Sequence, residues 1–288
     1  MAFGPYFIQI VGKSSYLMMK LKKVESLFRT RYQNVAIVDL EEFGRSLVLD
    51  DLVQSTHIDE PIYHESLVHP AMITHPNPEK ALIIGGGEGA TLREVLKHSC
   101  VKRAVMVDID GELVEEAKKL LANMHAGSFF DPRAEVIIMD GKDYVEQANE
   151  VFNVAIMDLT DPYGPEIARQ LYSAEFYSKV YKLLSDDGVI VTQAGTAFFF
   201  EEAYDQALNS LRKVFPIVRE YMVWIPSFGY ACCFLIGSKK NDPAELKPEE
   251  VDEKLSGRGV RTRFYSGRVH QALMLMPVLR KSMCEKEL

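Results

Sequence analysis

Residues 81–84, Ala-Leu-Ile-Ile, run straight into Gly85-Gly86-Gly87, then Glu88-Gly89-Ala90, then the helix-like stretch 91–98. Few folds accept this order. An apolar run too short for a helix, a glycine cluster and a helical pattern predict strand, tight turn and helix. Glycines in such a turn take positive φ and let the backbone approach a ligand. The helix behind them presents free N–H groups and the positive end of its dipole. Together these predict a nucleotide or nucleoside pocket at the carboxyl edge of a parallel sheet. The spacing Gly85-x-Gly87-x-x-Ala90, with Asp108 about twenty residues further on, fits a dinucleotide fingerprint. It fits nucleoside-binding transferases equally well. Glu88 leans against a pyrophosphate: its charge would repel phosphate or carboxylate and welcome a cation.

The rest of the chain sets bounds. Its 288 residues, 47% apolar, are enough for one large domain or one domain with an appendage. The formal charge of −8 argues against a nucleic-acid partner and suits a polycationic substrate. Cys100, Cys232, Cys233 and Cys284 form no CxxC pair and no Cys/His cluster, so no metal site is expected. The N-terminus shows no signal pattern, and no apolar run reaches membrane-spanning length. A cytoplasmic protein with no membrane partner is the expectation.

Residues 1–75 read as short strands, 35–38 and 46–49 most clearly, with Gly44 in the turn between them. Pro76-Asn77-Pro78 is a rigid punctuation mark, and the expected boundary lies there, giving units 1–75 and 76–288. The second unit alternates strands (81–84, 104–107, 135–139, 153–157, 189–192) with helices (91–98, 111–124, 141–149, 173–184, 201–214). That alternation predicts an α/β fold, a parallel sheet with helices on both faces. Runs 217–225 and 231–237 read as a closing antiparallel pair, 241–259 as a polar surface excursion, and 270–276 as a short helix.

Four strands in turn lead to acids: Glu88, Asp108, Asp140 (before Gly141) and Asp158. In an open α/β sheet those ends converge on one crevice. Asp108 is placed to accept two ribose hydroxyls, and Asp140-Gly141 to meet an adenine edge. Asp158-Leu159-Thr160-Asp161-Pro162, with Pro165 just beyond, sets two carboxylates three residues apart on a restrained loop. Gln33, Gln54, Tyr63 and His64 are the polar residues with reach in the first unit. No G-x-S-x-G elbow, H-E-x-x-H motif or Walker lysine occurs. The inventory suits an amine that attacks an electrophile carried by the nucleoside, with an acid to hold the ammonium and take its proton. A nicotinamide dehydrogenase, a methyltransferase and a non-enzymatic polyamine binder stay open on the residues alone.

The motifs resemble those of the polyamine aminopropyltransferases, the spermidine synthase family. They are RYQN at 31–34, LVLDDLVQ at 47–54, EPIYHESLVHPAM at 60–72, GGGEGATLREVLKH at 85–98, VDID at 107–110, DLTDPYGP at 158–165 and VTQAG at 191–195. The resemblance implies a Rossmann-like, methyltransferase-type sheet with an antiparallel last strand behind a small N-terminal β domain, assembled as a homodimer or homotetramer. It implies decarboxylated S-adenosylmethionine as co-substrate, no permanently bound cofactor, and a polyamine acceptor. By position, Asp158 resembles the proton acceptor, with Tyr63 beside it. Gln33, Glu88, Asp108, Asp140, Gly141 and Pro165, with Gly85 and Gly87 in the turn, resemble the donor site. His64, Asp161, Gln193 and Gln54 resemble acceptor positions. Leu159-Thr160 replaces two serines common in spermidine synthases, and Phe228 a common tyrosine. Glu88, Tyr63-His64-Glu65 and the DLTDP loop look more like thermospermine synthases, which extend a triamine. Spermidine, putrescine, agmatine and cadaverine all remain possible acceptors.

Overall fold

A computed structural model describes residues 4–164 and 166–284. The chain opens with five antiparallel strands in simple meander order: β1 (Tyr6–Ile10), β2 (Tyr16–Arg29), β3 (Asn34–Leu40), β4 (Gly44–Leu49) and β5 (Leu52–Thr56). A seven-stranded sheet follows, built from β6 (Lys80–Gly85), β7 (Arg103–Asp108), β8 (Ala134–Ile138), β9 (Phe152–Asp158), β10 (Leu184–Gln193), β11 (Ile217–Ile225) and β12 (Tyr230–Ser238). Its order is β11-β12-β10-β9-β6-β7-β8, and β12 runs antiparallel to both neighbours. The Rossmann-like sheet with its reversed last strand is therefore present as the motifs implied. Strand order reverses between β6 and β9, so a crevice opens at their carboxyl ends.

One segment departs from the expected short strands. Residues Glu60–Thr74 form a helix, α1, in which every residue but Ile62 is buried. It packs on β9, β10, β11 and the helix after the glycine turn, α2 (Ala90–Leu96). A division at Pro76 would part this helix from the sheet it sits on. Pro61 and Pro70 and polar residues on every face hid it from a periodicity reading. Pro61 is tolerated in the first turn, where its missing N–H has no helical partner. Pro70 leaves the Ser66 carbonyl without its helical donor, and Tyr221 Oη donates to it at 2.8 Å. The polar excursion 241–259 also holds a helix, Pro248–Gly257, which buries Val251 and Leu255.

The N-terminal sheet lies against the larger unit. Val35, Ile37, Leu47 and Leu49 pack with Leu113, Leu121 and Met124. Asp110 fastens the seam, accepting from Thr30 Oγ1 at 2.7 Å and Gln33 Nε2 at 2.9 Å. The sheet thereby walls one side of the crevice.

Candidate active site

The site begins with Gly85. It ends β6 at φ +85°, in register with Asp158 at the end of β9. A Cβ here would lie 2.0 Å from the Asp158 carbonyl oxygen, so only glycine fits. Gly86 N–H donates to that oxygen at 3.1 Å, which locks the turn to the strand. A Cβ on Gly87 would stand 3.0 Å from Asp108 Oδ2, so this glycine leaves room for the acid. Gly141 packs against Ile84, which any Cβ would strike at 2.4 Å. The turn opens into a cavity of about 490 Å³.

Tyr63, Glu88, Asp108, Asp140, Asp158 and Asp161 all line the cavity. Gln33, Gln54, Gln193, Gly85, Gly87 and Gly141 reach it as well. The sequence thus brought twelve expected residues to one cleft. Pro165 lies outside the described residues. His64 does not line the cavity: it is fully buried, with carboxylates against both ring nitrogens. Its Nδ1 meets Glu60 Oε2 at 2.9 Å and its Nε2 meets Glu88 Oε1 at 2.7 Å. Two acceptors require two donors, so the ring is an imidazolium. A cation held this way would repel an ammonium rather than bind one. His64, Glu88 and Asp158 also form, among the described residues, a group close enough to hold a metal ion. The protonated ring has no lone pair to offer one.

Asp158 accepts from Tyr63 Oη at 2.7 Å and from Thr91 Oγ1 at 2.6 Å. Burial and then the Glu88 charge raise its pKa; His64 and the two hydroxyls oppose them. Tyr63 is no base. Burial and the Asp158 charge hold its phenol well above the ordinary range, so it stays a donor that aims the carboxylate. Asp108 accepts the Asp110 N–H at 2.8 Å. Burial, with the charges of Asp110, Glu88 and Asp158, pushes it up to about 7 against that hydrogen bond. Asp161 is pushed up to about 6 by burial, which outweighs the lowering influence of Tyr163 and Gln193. Gln193 is fixed by Leu159 O at 2.5 Å and by the Gly195 N–H at 2.7 Å. Asp140 Oδ1 caps the following helix through Lys142 N–H at 2.8 Å. This is an acidic, half-apolar cleft, suited to cations with hydrocarbon between the charges.

Residues 60–248 match the family model described as Spermine/spermidine synthase domain, and residues 7–57 the Spermidine synthase tetramerisation domain. The chain belongs to the spermidine synthase family of polyamine aminopropyltransferases. A polyamine aminopropyltransferase of Pyrobaculum aerophilum is 59% identical over 283 residues, covering 96% of this chain and 97% of the relative. Polyamine aminopropyltransferase 1 of Hyperthermus butylicus is 54% identical over 249 residues, 85% of each chain. A crystal structure of spermidine synthase in complex with the transition-state analogue AdoDATO superimposes with a TM-score of 0.90 at 34% identity, covering 99% of this chain and 94% of that one. Spermidine synthase from Thermotoga maritima gives 0.89, also at 34%, over 100% and 95%.

Within this aminopropyltransferase, sequence reasoning passed over Thr91, Tyr163, Phe200 and Tyr230. Tyr163 stacks on Phe200 with centroids 3.8 Å apart, and its ring leaves no room for a Cβ at Gly195, which takes φ +66°. Tyr163 stood in the quoted DPYG loop, and the positive-φ glycine was the signal that a ring lies against it. Thr91 opens the helix after the glycine turn, a place where a hydroxyl meets whatever faces that turn.

Proposed function

We propose that the enzyme moves the aminopropyl group of decarboxylated S-adenosylmethionine to a linear amine, with spermidine the first acceptor and putrescine the second. The reading rests on one observation: Glu88, Asp158 and Asp161 share a cleft with no arginine or lysine among the described residues that line it. A pyrophosphate would be repelled there; a sulfonium with an ammonium arm would be held. The amine nitrogen attacks the carbon next to the sulfonium, the C–S pair leaves with methylthioadenosine, and Asp158 takes the amine proton. Asp108 and Asp140 keep the nucleoside, and Asp161 holds a second ammonium of the acceptor. Proximity supplies much of the acceleration.

The test is incubation with the decarboxylated donor and putrescine, spermidine, agmatine or cadaverine, with separation of spermine from thermospermine. Methylthioadenosine release with spermidine or putrescine well ahead of the others is expected. No release with any amine, or preference for agmatine, would contradict the reading.

Asp108 gives a pH dependence. Its folded carboxyl lies at about 7, above the ordinary 3.8, so it is partly protonated in the empty site at neutral pH. Two ribose hydroxyls need an ionised acceptor. Methylthioadenosine should therefore bind more tightly as pH rises through about 7, releasing a proton, and the slope should vanish in Asp108→Asn. Calorimetric titration in buffers of different ionisation enthalpy measures both.

The proposed assembly is a homodimer or homotetramer. Ile8, Tyr16, Met18, Val24 and Leu27 of the N-terminal sheet are exposed, and this segment matches the tetramerisation model. A cytoplasmic location belongs to the same reading. The four cysteines are free thiols, and among the described residues no helix is long and apolar enough to cross a membrane.

A further inference from the structure

Behind the cleft lies a line of buried charges that the transfer chemistry does not itself use. Glu60, the first residue of α1, has no exposed side-chain surface. Its Oε2 meets Arg93 Nη2 at 2.7 Å and His64 Nδ1 at 2.9 Å. Its Oε1 meets Arg93 Nη1 at 3.1 Å and Arg263 Nη2 at 2.6 Å. His64 passes the alternation on to Glu88. Sign by sign, the order is guanidinium, carboxylate, imidazolium, carboxylate, with the Glu88 end lining the cavity. A buried charge stripped of its partner is costly, so each member fixes the next.

We propose that Glu60 is a positioning residue for aminopropyl transfer: anchored by Arg93 and Arg263, it holds His64 as a fixed cation that sets the place and charge of Glu88. The proposal rests on the reading that Glu88 faces the donor's amino group. The groups facing His64 are Glu60 and the edge-on Tyr63 ring of its own helix, Glu88 of the glycine turn and Asp158 of β9, with Arg93 of α2 behind Glu60. Burial alone would lower the ring's pKa, but the hydrogen bonds and charges of Glu60 and Glu88 push it up to about 10. The folded value lies above the unfolded one of 6.5. The cation's stabilising contribution is therefore complete below about 6.5 and is lost only as pH rises through about 10. Near neutrality the switch is locked on.

With Gln at position 60 the ring keeps one hydrogen-bonded carboxylate, Glu88, with Asp158 close by but unbonded to it, and it should titrate nearer neutrality. The experiment uses the full-length enzyme carrying ¹⁵N-labelled histidine, with His64 assigned by difference against His64→Asn. Wild-type His64 should show the imidazolium signature from about pH 6.5 to 9, whereas in Glu60→Gln it should titrate inside that window. In the same variant kcat/KM for the donor should drop about tenfold between pH about 7 and 9, a limb absent from wild type, and Glu60→Asp should restore most of it. Arg263→Gln, which removes the half-exposed anchor, should move both readouts the same way by about twofold in rate, and it serves if Glu60→Gln does not fold. A merely structural role would lower the melting temperature and leave the profile's shape alone. A neutral wild-type ring at pH about 7.5, or an unmoved ring and profile in a folded variant, overturns the proposal. If Glu88→Gln leaves donor affinity intact, the donor reading falls instead, while the ring titration still decides the proposed link from Glu60 to His64.

Discussion

Asp158→Asn is expected to lower single-turnover aminopropyl transfer by about 10²–10⁴-fold while methylthioadenosine still binds. The carboxylate ends β9 at the switch point and takes two hydroxyl donors, Tyr63 at 2.7 Å and Thr91 at 2.6 Å. An amide in its place has one acceptor oxygen, so its NH₂ faces a hydroxyl that had been donating. Base and aim are lost together. The proposed nucleoside contacts are those of Asp108 and Asp140, which the change does not touch. Tyr63 cannot take over, since its phenol is held far above the ordinary range. Rapid-quench turnover with a parallel measurement of product affinity checks both halves. Near-normal turnover with intact binding would remove Asp158 from the role.

The second large effect belongs to Glu88→Gln. An opposite charge a few ångströms away in a half-dry cleft contributes about 3 kcal/mol at an effective dielectric of about 20. That corresponds to about a hundredfold in kcat/KM for the decarboxylated donor. Methylthioadenosine carries no aminopropyl arm, so its affinity should stay within about twofold. The contrast separates loss of one electrostatic contact from collapse of the turn. Equal losses for both nucleosides would point to collapse, and no loss for either would free Glu88 from the donor.

The cleft's floor was legible because sheet topology does the placing. Once the strands alternate with helices, acids after β7, β8 and β9 must meet at the carboxyl edge, and the glycine turn marks where the order reverses. Gly85 was legible from the glycine cluster that follows a short apolar run, the mark of a strand turning at positive φ. His64 shows where such reading stops. Successive helical residues point about 100° apart, so Tyr63 and His64 cannot both face the cavity. The linear motif could not say that 60–74 is a helix, because its two prolines and its buried polar residues blur the period. Nor could it find the partners of Glu60, which lie 33 and 203 residues away at Arg93 and Arg263. Long-range pairs of this kind leave no local pattern; each looks like an ordinary surface charge until the fold buries it.

In the proposed function the cleft is charged to select a cationic nucleoside. The most direct measurement of that selection is the affinity of the wild-type enzyme for decarboxylated S-adenosylmethionine and for ordinary S-adenosylmethionine, titrated side by side at one pH and salt concentration. At least about a hundredfold preference for the decarboxylated form is expected, because the extra carboxylate would meet Glu88 and Asp158. Equal affinity, or tighter binding of the carboxylated form, would contradict the proposed function.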